Sequence, residues 1–213
     1  MAERKSTYTG EKVEIVYDRA ICIHAAECGR GSKDLFDPSK DPWCEPDAVD
    51  AETAVDIVAR CPTGALTYTL IDKSVAEPPR PDGNAVQINP DGPLYASGDL
   101  QVDGESVPAR IALCRCGASK HKPFCDRSHG KAGFRDNGPV NADARPGALE
   151  AGPLNFQLIP DGPIIAEGPM ELRAASGRVA MRGKRAALCR CGASKNKPFC
   201  DGSHAAAGFR SSE

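Results

Sequence analysis

The sequence predicts an α+β protein, a small N-terminal domain of strands and one helix followed by two β-rich repeat units. Three observations carry this expectation. Alternating apolar and polar residues bracket one stretch of helical periodicity ahead of position 77. A duplicated block fills most of the remainder. Gly (21) and Pro (18) together make nearly a fifth of the 213 residues, which favours turns and short strands over long helices.

The N-terminal domain is placed at residues 8–76. KVEIVYD (12–18) and LTYTL (66–70) alternate as strands. Between them Ala51, Ala54, Val55 and Val58 recur at helical spacing behind Asp50 as a cap, and Pro62 closes that helix. A Pro-rich linker is expected at 77–84. The first repeat unit spans 85–136, a second joint 137–152, and the second unit 153–213. In the units, AVQINPDGPLYASG and NFQLIPDGPIIAEG read as short strands broken by Pro-Asp-Gly turns. ARIALC and GKRAALC then lead into the first cysteine of each motif. Asp126 and Asp201 stand where an N-cap belongs, and DGSHAAAGF opens a short helix in the second copy.

The duplication is close. Residues 113–126 (LCRCGASKHKPFCD) and 188–201 (LCRCGASKNKPFCD) differ only at His121 versus Asn196. Pro-Asp-Gly-Pro recurs at 90–93 and 160–163, and Ala-Gly-Phe-Arg at 132–135 and 207–210. The offset between copies thus grows from 70 at the upstream block to 75 at the motif, so the second copy carries a five-residue insertion.

Composition narrows the function. Small, loop-rich units with apolar content of 40% and aromatic content of 5% need a staple, a disulfide or a metal. The polar N-terminus lacks an apolar signal segment, and no apolar run is long enough to span a membrane. A cytosolic chain, in a bacterial cell, is therefore expected, and its ten cysteines point to metal rather than disulfides. Net charge is −2, with residues 1–80 carrying 10 Lys/Arg against 15 Asp/Glu. The rest is slightly basic but has no long basic run, so neither nucleic acid nor membrane is an expected partner. The two halves are ordinary solvated surfaces, or complementary ones that dock or steer charged partners.

Cys114, Cys116, Cys125 and His129 follow C-x-C-x8-C-x3-H, and Cys189, Cys191, Cys200 and His204 repeat the spacing. Four such ligands suit a tetrahedral zinc or a [2Fe–2S] cluster, each iron of which takes two protein ligands. Structural zinc usually takes cysteines two to four residues apart. Cys-x-Cys on an extended segment points both thiols to one side, which suits one iron, with the Cys–His pair serving the other. Lys120, Lys122, Lys195 and Lys197 bring positive charge beside the sites, and Gly202 allows close backbone approach.

Cys200-Asp201-Gly202-Ser203-His204, with Cys189-x-Cys191, Ser194 and Pro198, resembles the CDGSH iron–sulfur family, the group of mitoNEET. The resemblance covers each copy over nearly its whole length. It implies a [2Fe–2S] cluster with Cys189 and Cys191 on one iron and Cys200 and His204 on the other. Cys114, Cys116, Cys125 and His129 map the same way, although Arg127 replaces the expected Gly. Because mitoNEET-type members are dimers of one-motif chains, the duplication implies an intramolecular pseudo-dimer, monomeric with an internal pseudo-two-fold.

Cys22, Cys28, Cys44 and Cys61 remain. Cys22 through Cys28, with Cys61-Pro62, echo the ferredoxin run C-x2-C-x2-C with a distant Cys-Pro, but Ala25 holds the middle position. Three ligands suit [3Fe–4S], and [4Fe–4S] needs a fourth from Cys44, His24 or an exogenous group. With Leu35-Phe36-Asp37-Pro38, Pro42-Trp43 and Thr63-Gly64-Ala65-Leu66, the segment resembles the divergent mono-cluster 4Fe–4S ferredoxin-like domain. That resemblance supports Cys22, Cys28 and Cys61 and implies a ferredoxin-like α/β sandwich. Cys44 follows Pro-Trp where an apolar residue is expected, so it is a buried thiol or the fourth ligand.

The resulting expectation is a non-catalytic one-electron carrier with three clusters, exchanging with a redox partner protein. No activated nucleophile, phosphate loop or substrate motif points to an enzyme. Histidine ligation raises potential, so electrons are expected to run from the N-terminal cluster to the pair. The alternative is cluster storage, transfer to an apo-acceptor, or redox/pH sensing through the labile histidine-ligated clusters.

Overall fold

Val13–Asp18 (β2) alternates between buried and half-exposed side chains, with Val13 and Ile15 in the core, and so forms a strand. It is the centre of a three-stranded antiparallel sheet, flanked by Lys5–Thr9 (β1) and Leu66–Leu70 (β3). β1 lies outside the sequence expectation, because its residues are largely exposed and carry no apolar alternation. Ala51–Ala59 (α2) packs on β2 and β3 through Ala54, Val55 and Val58, each 0% exposed. Asp50 caps it as expected, accepting from the Thr53 N–H at 2.8 Å and the Thr53 hydroxyl at 2.7 Å. The helix stops at Ala59, before Cys61-Pro62. A single turn of helix, Glu27–Gly31 (α1), carries Cys28. The observed architecture of this unit is thus a three-stranded sheet with one principal helix.

The computed structural model describes residues 4–78, 83–140 and 149–211. The chain divides between Arg80 and Pro81 into two units, each described by itself. The expected joints at 77–84 and 137–152 fall partly on residues 79–82 and 141–148, outside the described residues.

In the second unit the first repeat supplies Ala85–Ile88 (β4), Leu94–Ser97 (β5), Leu100–Val102 (β6), Glu105–Ser106 (β7) and Arg110–Leu113 (β8). Ser128–Lys131 (α3) follows its motif. The second repeat supplies Leu154–Leu158 (β9), Ile164–Arg173 (β10), Val179–Leu188 (β11) and Ser203–Ala206 (α4). The five-residue insertion lies between the end of β10 and the latter part of β11, where the second copy has a long hairpin in place of β6, β7 and β8.

The two repeats do not form separate sheets. They share one eight-stranded sheet, ordered β7-β6-β9-β10-β4-β5-β8 with β11 on β10. The connections between copies are parallel and reciprocal. β6 of the first copy pairs with β9 of the second as Gln101↔Asn155 and Val102↔Phe156. β10 of the second pairs with β4 of the first as Glu171↔Ala85 and Leu172↔Val86. Adding or subtracting 70 converts one register into the other. Side chains of both copies then close a single core, with Val86, Leu94, Leu113, Phe156, Ile164 and Leu188 all 0% exposed. Neither unit alone would retain that core.

Candidate metal centres

Each ligand loop is folded back on the strand that feeds it. β8 ends one residue before Cys114, and the Cys114 N–H donates to the Pro123 carbonyl at 2.8 Å. The Cys125 N–H donates to Ala112 at 2.8 Å, giving an antiparallel bridge between Leu113 and Phe124. The second copy repeats this with Cys189 to Pro198, Cys200 to Ala187, and a Leu188–Phe199 bridge. This return brings the third cysteine beside the first. The Ser119 hydroxyl, buried and donating to the Phe124 carbonyl at 2.6 Å, pins the loop, as Ser194 does on Phe199 at 2.7 Å.

The donors stand in twos. Cys114 Sγ lies 3.6 Å from Cys116 Sγ, and Cys125 Sγ lies 3.5 Å from His129 Nδ1. The second copy gives 3.7 Å for Cys189–Cys191 and 3.4 Å for Cys200–His204. A tetrahedral metal with about 2.3 Å bonds to sulfur and about 2.0 Å to nitrogen sets its ligands about 3.8 Å (S···S) and about 3.6 Å (S···N) apart. Each pair therefore has the spacing of two ligands on one metal. Among the described residues, no three His, Cys, Asp or Glu side chains gather around a single ion position.

Backbone N–H groups point at the sulfurs. Ala118 reaches Cys116 at 3.5 Å and Arg127 reaches Cys125 at 3.4 Å, while Ala193 and Gly202 do the same for Cys191 and Cys200 at 3.4 Å. These donors favour thiolates and an anionic group between them. In the first pair the hydrogen bond shared by the two thiols holds Cys114 down to about 6 and raises Cys116, while burial raises Cys125 to about 11 and also raises Cys189. Burial, with Arg127 nearby, holds His129 below its ordinary imidazole value, against the pull of Asp126. That favours the neutral, metal-binding form.

One expectation about these loops is corrected. The N-cap residues are Arg127 and Gly202, both left-handed (φ 70 and 87), not Asp126 and Asp201. The aspartates sit one residue earlier and clamp the loop. Asp126 accepts from the N–H of Ser128 at 3.0 Å and of Lys120 at 2.9 Å; Asp201 accepts from Ser203 at 3.0 Å and Lys195 at 2.8 Å. Burial opposes ionisation of Asp126, but these N–H bonds hold it down to about 2. Gly202 takes a positive φ, and a Cβ there would meet no protein atom within 4 Å. Backbone approaches backbone closely at Gly117 and Gly192. A Cβ on Gly117 would lie 2.6 Å from the Cys191 carbonyl oxygen, and one on Gly192 would lie 2.7 Å from that of Cys116. The two Cys-x-Cys segments therefore abut reciprocally.

Sequence reasoning missed the residue between those cysteines. Arg115 and Arg190 are 2% and 3% exposed. Arg115 donates to the carbonyls of Gly92 and Asn89 and to Asp136 Oδ1, each at 2.8 Å, and its guanidinium lies 5.1 Å from the Phe134 ring centre. Arg190 matches it on Gly162, Ile159 and Phe209, but Ser211 occupies the place of Asp136. Among the described residues no carboxylate pairs with Arg190. Recurrence of Arg inside both Cys-x-Cys pairs was the available signal.

In the N-terminal unit, Cys22 ends a short turn after β2, Cys28 lies in α1, and Cys61 follows α2. All three are half-buried. Burial raises the Cys28 thiol, and the nearby Cys61 and Cys22 add to the effect, so the three share one neighbourhood. The N–H of His24 points at Cys22 Sγ at 3.4 Å and that of Leu66 at Cys61 Sγ at 3.4 Å. His24 (φ 49) and Ala26 (φ 64) are left-handed, curling the Cys22–Cys28 loop. Burial and a hydrogen bond with Cys22 raise the Tyr17 phenol. The His24 side chain is exposed. Cys44 is 1% exposed within the apolar core, and burial pushes its thiol up to about 12.

Residues 8–70 match the family model described as divergent 4Fe-4S mono-cluster. Residues 91–130 and 161–205 match the model described as iron-binding zinc finger CDGSH type. The YjdI proteins of Escherichia coli K12 and of Escherichia coli O157:H7, both titled uncharacterized, are each 46% identical over 61 residues. That span is 29% of this chain and 80% of each relative. No solved structure matches. The chain belongs to the iron–sulfur proteins of the CDGSH family, with a divergent 4Fe–4S mono-cluster domain ahead of its two CDGSH segments.

Proposed function

We propose that this protein is a non-catalytic one-electron carrier that binds two [2Fe–2S] clusters and one [3Fe–4S] or [4Fe–4S] cluster. The observation that carries the proposal is the grouping of eight donors into four pairs at metal-ligand spacing. Cys114 with Cys116, and Cys189 with Cys191, would hold one iron of each [2Fe–2S] site; Cys125 with His129, and Cys200 with His204, would hold the other. Cys22, Cys28 and Cys61 would hold the third cluster, with Ala25 leaving one corner without a cysteine. Cys44 reads as a packed thiol on its burial. When bound, such clusters accept and release single electrons. The residues themselves aim N–H groups at sulfur, and burial with Arg127 nearby favours the neutral imidazole at His129. The reciprocal register of the repeats supports an internal pseudo-dimer that takes the place of a second chain. A soluble cytoplasmic setting suits this role, and among the described residues no helix is long and apolar enough to cross a membrane.

Iron and sulfide analysis with EPR on anaerobically purified protein tests the proposal. Seven irons with a signal in the oxidised state identify [3Fe–4S] beside two [2Fe–2S]; eight, silent until reduction, identify [4Fe–4S]. Colourless protein carrying zinc defeats the reading. A second reading, cluster transfer to an apo-acceptor, draws on the half-buried, solvent-reachable His129 and His204. Rapid delivery of a [2Fe–2S] cluster to an apo-ferredoxin would favour it.

A further inference from the structure

The ligand loops are copies, yet the surfaces around them differ. Lys120, Lys122, Arg127 and Lys131 flank the first motif's Cys125 and His129 in sequence; the matching positions of the second are Lys195, Lys197, Gly202 and Ala206. Lys120, Arg127 and Lys131 are exposed and Lys122 is half-buried. Among the described residues none of these four cations has a carboxylate in ion-pair range. Asp126, which lies among them, is taken up by the N–H groups of Lys120 and Ser128. Phe124, one residue before Cys125, is 38% exposed, whereas Phe199 packs against the core.

A single exposed apolar side chain needs no explanation. Flanked along the chain by four cations that have no carboxylate partner among the described residues, and next to Cys125, it supplies the apolar and charged elements of a docking face. Arg127 adds an independent mark. It holds a left-handed backbone that costs a non-glycine residue about 1–2 kcal/mol, where the sister loop has glycine.

We infer that the face around the first motif docks a carboxylate-rich protein, of the acidic class of one-electron carriers. The inference rests on the iron–sulfur reading above and names the partner of that site. Four cations within twelve residues of chain, with one exposed aromatic among them, are fewer than the long basic run that a nucleic-acid backbone requires. Charge complementarity of this kind sets encounter rate and orientation, and it fades with salt.

The test is calorimetric titration of the iron-loaded full chain with oxidised plant-type [2Fe–2S] ferredoxin, an acidic probe. Affinity should fall at least about tenfold between about 20 and about 200 mM salt. The matched reversals K120E/K122E and K195E/K197E separate the two faces. The first should weaken binding at least about tenfold and the second less than about threefold. K131E, two residues past His129, should weaken binding in the same direction and serves if the double variant loses iron. Equal weakening by both reversals, salt-independent binding or no binding overturns the inference. So does binding to duplex DNA or to phosphatidylglycerol vesicles in preference to the ferredoxin. Iron and sulfide assays on the same samples keep the two claims apart. Loaded protein that fails these tests sinks the docking face alone, and protein without sulfide removes the cluster reading and the docking face with it.

Discussion

The two CDGSH segments share a loop and differ in what surrounds it. Both present the same ligand types at matching spacings, 3.6 and 3.7 Å for the cysteine pairs and 3.5 and 3.4 Å for the cysteine–histidine pairs. Both clamp the loop with an aspartate, and they abut through Gly117 and Gly192. Around the first, Asp136 pairs with the buried Arg115, while Ser211 takes its place in the second and no carboxylate among the described residues pairs with Arg190. Arg127 sits left-handed where the second has Gly202. Glu171 anchors two arginines in the second copy at the place of Gln101 in the first. The difference teaches that holding and tuning are separable here. The repeated residues build the ligand pairs, and the unrepeated ones set the charge each pair experiences.

The shared core gives the largest expected effects. Phe156 and Val86 occupy equivalent positions and both are 0% exposed. Phe156→Ala should lower the stability of the second unit by about 4 kcal/mol and Val86→Ala by about 2 kcal/mol, measured by urea unfolding followed by circular dichroism. If the copies were independent domains, each substitution would unfold one motif and spare the other. Loss of both clusters together from Phe156→Ala is the expected outcome.

Asp136→Asn comes next. It strips the carboxylate from an arginine whose side chain is 1% exposed, and should cost about 3 kcal/mol. It also removes the carboxylate that distinguishes the surroundings of Arg115 from those of Arg190, so the reduction potentials of the two CDGSH sites should converge. Ser211→Asp should make them converge from the other side, by supplying Arg190 with a counter-charge. Redox titration of both variants reads this, and an unchanged gap between two resolved potentials would mean that these arginines do not tune the sites.

A smaller effect belongs to the helix starts. Arg127→Gly relieves a left-handed non-glycine residue and should stabilise the first motif by about 1 kcal/mol, whereas Gly202→Arg should cost a similar amount in the second. Urea unfolding of both variants checks the opposite signs.

The duplication, the recurring Cys3His spacing and the Asp50-capped helix were legible because each is a local pattern of residue type and spacing. The reciprocal pairing of β6 with β9 and β4 with β10 was not, since parallel partners lie more than fifty residues apart and periodicity says nothing about which strand lies beside which. The cap at Arg127 was missed for a different reason. An aspartate before Ser-His looks like a cap from the sequence, and only the backbone shows that its carboxylate spans to Ser128 and Lys120 from one residue earlier. β1 escaped because an exposed edge strand buries no face to imprint on the sequence. Arg115 and Arg190 were hidden by the habit of placing charge in water.

The smallest effect sharpens the same comparison through pH. Burial of Glu171 opposes its ionisation, but hydrogen bonds from Arg173 (2.6 Å) and Arg182 (2.9 Å) outweigh it and hold the carboxyl below its ordinary 4.5. A carboxylate with a lowered folded-state value releases its proton more readily in the fold than in the unfolded chain. Its contribution is therefore complete above about 4.5 and is lost as pH falls through the lowered value. Glu171→Gln should destabilise the second unit by about 0.5–1 kcal/mol at neutral pH, and the gap from wild type should close toward pH about 3. Gln101, already neutral at the equivalent position, predicts no such pH term from the first copy. A gap that persisted unchanged in acid would assign Glu171 a packing role and leave the β10–β11 hairpin without its charge anchor.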